Sequence, residues 1–344
     1  MAEQTITVSP NELKIYAKRT IEQKLVPYIT SSPGMGKSSL VQEIADEGNL
    51  MLIDVRLAQC TPEDLNGFPM RVGDKAQFVP FDIFPIVGDK LPEGKNGWLI
   101  FLDELSSAPK SVQAAAYKLI LDRKVGSFPL HNDVYMVGAG NKAGDKAVVT
   151  KMSTALASRI IHFELELQID QWLAWATEQE LDHRILAYIN YNNSALMDFE
   201  PDNITTTFPC PRTWEFLSKL IKGTKVSNDV LPLVVGTIGA GTGIEFIQFA
   251  QIFGSLPSLA DIIAKPKSIS VPTEGSIRYA TLFMLIDKID SSNIDPILDY
   301  IERYPTEFKI IFSKGVNSKN MELRKTSKKF TNFLLKMITY LETS

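Results

Sequence analysis

Residues 28–45 read YITSSPGMGKSSLVQEIA, and the reading of this stretch decides the architecture of the first half of the chain. A strand-like run ends near Thr30, a glycine-containing loop covers Ser31–Lys37, and helical spacing follows. A loop between a strand and a helix can turn its backbone N–H groups and the helix N-terminus toward a phosphate. The pattern for such loops is G-x-x-x-x-G-K-[ST], and Ser31 stands at its first glycine. That glycine serves mainly as a turn, which a small serine is expected to make at modest cost. The expected nucleotide-binding residues are therefore Ser32, Pro33, Gly34, Met35, Gly36, Lys37, Ser38 and Ser39. Gly34 and Gly36 permit close backbone approach, Lys37 carries a charge to the β- and γ-phosphates of ATP, and the Ser38 hydroxyl is a ligand for Mg²⁺. The plainer alternative is a chance G-K-S in a surface loop.

Outward from the loop, LVPYIT (25–30), LMLIDVRL (50–57), GWLIFLDE (97–104), DVYMVGAGN (133–141) and RIIHFELE (159–166) read as five strands. Several are apolar on both faces, as parallel strands covered by helices must be. KSSLVQEIADEG and PKSVQAAAYKLILDRKVG alternate with them at helical spacing. The fold class expected is α/β, an αβα sandwich around a five-stranded parallel sheet. After Glu166 the strand signal fades into helical segments such as IDQWLAWATEQE, HRILAYINYN, RTWEFLSKLIKG and SIRYATLFMLIDKI. The expected domains are a nucleotide-binding domain over 1–166 and a helical lid with a C-terminal helical region over 167–344.

WLIFLDE is an apolar strand ending in adjacent carboxylates. Asp103 is placed to hold the magnesium, directly or through water, and Glu104 to orient and polarise an attacking water. An acidic pair at a strand end has an ordinary alternative as the N-cap of the following helix.

The runs RLAQCTPEDLNGFP (56–69), FLDELSSAPKSVQAAAYKLILDRKVG, GAGNKAGDKAVVTKMSTALASRIIHFELE and WLAWA together resemble MoxR-type AAA+ ATPases over roughly residues 20 to 220. The resemblance implies a nucleotide domain followed by a helical lid, assembly into a homo-oligomeric ring, usually a hexamer, and ATP hydrolysis that remodels or activates a client protein. Members often work with a von Willebrand factor A protein and are common in bacteria and their phages. The family pattern makes Asn141 sensor 1, an amide for the γ-phosphate or the attacking water. It makes Arg159 the arginine finger that enters the neighbouring subunit's site, and Arg212 sensor 2 of the lid. Arg123 is a second candidate for a contact across the interface. Two segments, GFPMRVGDKAQFVPFD around a Gly73-Asp74 turn and RKVGSFPLHND, are expected as hairpins facing the ring's pore, or else as simple packed connections.

Composition narrows the other classes. With 36 Lys and Arg against 40 Asp and Glu, the net charge of -4 marks no general affinity for nucleic acid or membrane. An AAA+ protein acting on DNA stays as an alternative, encouraged by the basic C-terminal segment, and an ATP-gated scaffold with little turnover is another. Cys60 and Cys210 lack metal or disulfide spacing, and the three histidines are scattered. GTIGAGTG (236–243) matches neither nucleotide-loop pattern and is read as a packed turn or close helix contact. No run reaches the roughly 18 apolar residues of a membrane span, so a cytoplasmic location is expected.

Overall fold

The computed structural model describes residues 6–145, 152–201, 207–252 and 256–343. The chain divides into two compact units, Met1–Gln168 with Glu200–Asn203, and Ile169–Phe199 with Ile204–Ser344.

The first unit is built on a parallel sheet of six strands. In chain order they are β1 (Thr7–Val8), β2 (Val26–Ser31), β3 (Met51–Arg56), β6 (Trp98–Asp103), β9 (Val134–Asn141) and β10 (Ile160–Leu165), arranged β1-β10-β2-β9-β6-β3. Five of these are the strands expected, within a residue or two at each end. The sixth, β1, pairs Thr7 with Glu164 and Val8 with Leu165 at the sheet edge. Two residues are too short to display the alternation by which a strand is recognised in sequence.

Helix α1 (Pro10–Glu22) starts on a reciprocal cap, with Ser9 and Glu12 bonding each other's backbone and Pro10 in the first turn. Together with α2 (Lys37–Glu47) it covers one face of the sheet, through Leu13, Ala17, Ile21, Val41 and Ile44 against Ile29, Leu99, Phe101 and Val137. The short α3 (Pro62–Asn66) and α4 (Lys110–Asp122) cover the other, with Leu65, Val112, Ala116 and Leu119 against Val55, Ile100, Leu102 and Met136. Both faces are dry, which is why β6 reads as an unbroken apolar run.

Strand β9 owes its glycines to its neighbour. The ring of Tyr28 lies across it, and a Cβ on Gly140 would sit 2.1 Å from the Tyr28 hydroxyl and 2.5 Å from Ser106 Oγ. Gly140→Ala is expected to lower stability by about 1–3 kcal/mol through overpacking, read as a lower urea midpoint. An unchanged midpoint would mean the ring gives way freely.

Two hairpins stand out from the sheet: β4 (Phe68–Val72) with β5 (Lys75–Val79), and β7 (Lys124–Val125) with β8 (Phe128–Pro129). They touch backbone to backbone. Gly126, at φ 59, brings its α-carbon so close that a Cβ would lie 2.8 Å from the Phe78 carbonyl oxygen and 2.9 Å from that of Asn66.

The described part of the second unit is helical. After α5 (Thr154–Ala157), which belongs to the first unit, it runs through α6 (Ile169–Glu178), α7 (His183–Tyr191), α8 (Pro211–Ile221), α9 (Leu231–Ile238) and α10 (Ala240–Gln251), with further helices to Lys328–Thr343. Tyr188, Trp214 and Phe246 pack as one aromatic cluster. Arg184 grips Asp182 with two bonds of 2.8 and 2.6 Å and also donates to the carbonyls of Thr224 and Ile221. The glycine run at 236–243 is the junction of α9 and α10: Gly239 turns the chain at φ 85, and Gly243 meets Val235 closely enough that a Cβ would lie 3.3 Å away. It is the close helix contact expected. Among the described residues no helix is long and apolar enough to cross a membrane.

Candidate nucleotide site

Parallel strands carry their C-terminal ends to one edge of a sheet, and in open α/β folds ligands bind in the crevice at that edge. Here β2, β9 and β6 are neighbours. Ser31 pairs with Asn141, and Leu102, one residue before Asp103, pairs with Gly138. The ends bearing the loop, the amide and the acid pair are thus brought together.

The loop leaves β2 after Ser31 and turns at Gly34 (φ 79) and Gly36 (φ 86), the second of which is the N-cap of α2. No side chain caps that helix, so its first-turn N–H groups and the positive end of its dipole face a ligand uncontested. The serine that breaks the motif behaves differently from the expected turn residue. Ser31 is extended backbone, fully buried, and the last rung of the strand ladder. Because the ladder continues through position 31, the left-handed turns fall to the two glycines and no glycine is needed there.

Lys37 folds back over the loop. Its ammonium donates to Ser31 Oγ at 2.9 Å, the Ser31 carbonyl at 3.2 Å and Asn141 Oδ1 at 3.3 Å. The Ser31 hydroxyl donates to the Ser32 carbonyl at 3.0 Å, which leaves its lone pair for the lysine. Ser32 Oγ donates to Asp145 Oδ1 at 3.3 Å. Met35 packs against the core, while Ser38 and Ser39 are exposed in the first turn of α2.

Asp103 ends β6, half-buried. Burial pushes its pKa up; the Glu104 N–H, which it accepts at 2.8 Å, and the charge of Lys37 pull the other way, Asp54 adds repulsion and Arg56 relieves it. A carboxylate whose charged form is penalised by desolvation gains from a cation beside it. Among the described residues no cluster of three His, Cys, Asp or Glu forms a metal cage. Magnesium at nucleotide sites asks for less, one or two protein oxygens with phosphates and waters completing the shell. Asp103 and Ser38 fit that donor set.

Glu104 adopts a left-handed backbone at φ 56, an arrangement costing on the order of 1–3 kcal/mol outside glycine and concentrated at functional sites. The turn it opens is closed by its carbonyl, which accepts the N–H groups of Ser107 and Ala108 at 2.9 and 3.1 Å.

The arginines separate. Arg159 is exposed just before β10; its guanidinium donates to the Ala155 carbonyl at 2.8 Å and lies 5.2 Å from the Tyr117 ring centroid. Ile160 pairs with Val26, the first residue of β2, so Arg159 stands at the end of the sheet opposite the loop, about 20 Å from Ser31 at roughly 3.3 Å per residue. It does not join the loop of its own chain. Arg123 caps α4 at φ 51 and donates to the Val134 carbonyl of its own sheet, and burial lowers its pKa. Arg212 is an exposed residue in the first turn of α8, in the helical unit. Residues 146–151, between Asn141 and Arg159, lie outside the described residues.

Sequence reasoning missed Tyr28, Ser106, Asp54, Arg56 and Asp145. The available signal was the Gly-Ala-Gly before Asn141: alternate glycines on a central strand announce a large side chain crossing from the next strand.

No family model and no curated protein matches the chain. Among solved structures it is similar to NtrX from Brucella abortus, with TM-score 0.40 and 14% identity over 96% of this chain and 67% of that one. It is also similar to RuvB from Thermotoga maritima, described as a Holliday junction branch migration motor, with TM-score 0.35 and 14% identity over 95% and 86% of the two chains. A structure of the same NtrX in complex with ADP stands at TM-score 0.39 and 15% identity, over 96% and 67%. Likenesses this distant leave the function to the residues of the site.

Proposed function

We propose that the chain is an ATP-hydrolysing AAA+ ring protein of the MoxR type, which uses turnover at subunit interfaces to remodel or activate a client protein. The observation that carries the reading is the meeting, at one sheet edge, of an uncapped helix N-terminus with Lys37, Asn141 and the Asp103–Glu104 turn, drawn from three adjacent strands. Each has a distinct task. The α2 N-terminus and Lys37 hold the phosphates, Asn141 and Glu104 hold and polarise a water, and Asp103 and Ser38 hold the magnesium, which supplies charge neutralisation when bound.

The ring is part of the proposal. Phosphoryl transfer gains from an arginine that stabilises the developing charge, and Arg159, exposed and remote from the loop of its own chain, is placed to reach a neighbour's. The client side of the proposal falls to the β4–β5 hairpin, where Phe68, Met70 and Phe78 are exposed.

Lys37→Ala tests the site. It removes charge-assisted bonds to phosphate of about 1.5–3 kcal/mol, so ATP affinity should fall about 10- to 100-fold in equilibrium titration with a fluorescent ATP analogue. Undiminished affinity would mean that the loop holds no phosphate.

A further inference from the structure

One side chain outside the nucleotide motifs touches all three strands that carry them. Ser106, 4% exposed, lies two residues beyond Glu104 in the turn that ends β6. Its hydroxyl oxygen accepts the backbone N–H of Asn141 at 3.1 Å. One residue earlier, the Leu105 N–H donates to the Ala139 carbonyl at 2.9 Å. The acid turn is therefore fastened to the end of β9 at two points. The third strand arrives through Tyr28, whose buried hydroxyl lies beside Ser106: a Cβ on Gly140 would sit 2.1 Å from the one and 2.5 Å from the other. Only because residue 140 is glycine is there room for the two hydroxyls at this point.

We infer that Ser106, supported by Tyr28, is the positioning residue that fixes the Asn141 amide and the Glu104 turn relative to one another. This rests on the ATPase reading of the same site. Asn141 is the last rung of β9 and its own partner across the sheet is Ser31. The bond to Ser106 holds the backbone of that last rung, and the Asn141 side chain it carries reaches Lys37 at 3.3 Å. Two groups that must act on one water gain from being tied to a common post, since a displacement of about 1 Å at a reacting centre can cost on the order of 10²-fold in rate.

The sequence pattern gives no warning of this role, because the serine occupies no position in the loop or the acid pair. The structure gives it a chemical reason. A hydroxyl both donates and accepts, so a single Ser106 Oγ can hold the amide of β9 while engaging the phenol of β2. Alanine keeps the packing volume nearly intact and deletes the bond to the Asn141 N–H together with the polar contact to Tyr28.

The test uses the full chain and three measurements: kcat and KM for ATP hydrolysis, ATP-analogue affinity, and thermal midpoint. Ser106→Ala is expected to lower kcat about 10- to 100-fold while KM and affinity stay within about twofold. Tyr28→Phe, which removes one oxygen and keeps the ring, is expected to give the same split at a few-fold size. The decisive arm is the double variant: in an Asn141→Ala background, Ser106→Ala should cost nothing further, because both changes remove one positioned amide. Additive losses, an unaltered Ser106→Ala, or a fall in affinity and midpoint in step with kcat would overturn the role. If Asn141→Ala itself turns over at the original rate, the assignment of Asn141 falls first, and the inference falls with it. Should Ser106→Ala not fold, the Tyr28→Phe and Asn141→Ala cycle answers the same question.

Discussion

Arg159→Ala is expected to bind ATP as the unaltered chain does and to hydrolyse it on the order of 10³–10⁵-fold more slowly, the loss measured when a trans-acting arginine is removed from phosphoryl transfer. The geometry separates binding from turnover. Lys37, Ser38 and the α2 N-terminus lie at one edge of the sheet, and Arg159 precedes the strand residue paired with Val26 at the other. Its bonds within the chain are to the Ala155 carbonyl and the Ser158 hydroxyl, both at the surface, so its removal leaves no buried charge or hole. Mixed with Lys37→Ala subunits, the variant should recover part of its activity, since an interface can then combine an intact loop with an intact arginine. Normal turnover by Arg159→Ala alone, or exchange of subunits without recovery, would place the second cation elsewhere.

Glu104→Gln should cost about 10²–10⁴ in kcat, the range for a positioned general base, with ATP affinity kept. The substitution is nearly isosteric, so the left-handed turn at φ 56 and its bonds to Ser107 and Ala108 survive. What goes is the capacity to take a proton from water. Single-turnover hydrolysis with equilibrium binding separates the two, and fast chemistry in the variant would strip Glu104 of its role.

Most of the sheet could be read from the chain because it is buried on both faces: LIFLD and VYMV can be little else than central strands. What escaped was short or tertiary. The edge strand Thr7–Val8 is recognisable only by its partner, and Ser106 has meaning only where β2, β9 and β6 lie side by side. The motif serine was legible as a residue and misjudged as a conformation: its place in the ladder depends on Asn141, 110 residues away by number. Arg123 shows the converse limit, since sequence can name an arginine but not the Val134 carbonyl it meets.

The contact between Gly126 and the Phe78 carbonyl has a practical side. Residue 126 tolerates no side chain, but at the tip of the longer hairpin a Cβ on Gly73 meets nothing within 4 Å, and Asp74 is wholly solvent-facing. A cysteine placed at Asp74 therefore offers an attachment point for a fluorophore that disturbs no packing, while its base stays clamped to the second hairpin. Changes in the dye's anisotropy during ATP turnover would then report motion of the paired hairpins as one body, in a chain whose own cysteines, Cys60 and Cys210, are half-buried and buried.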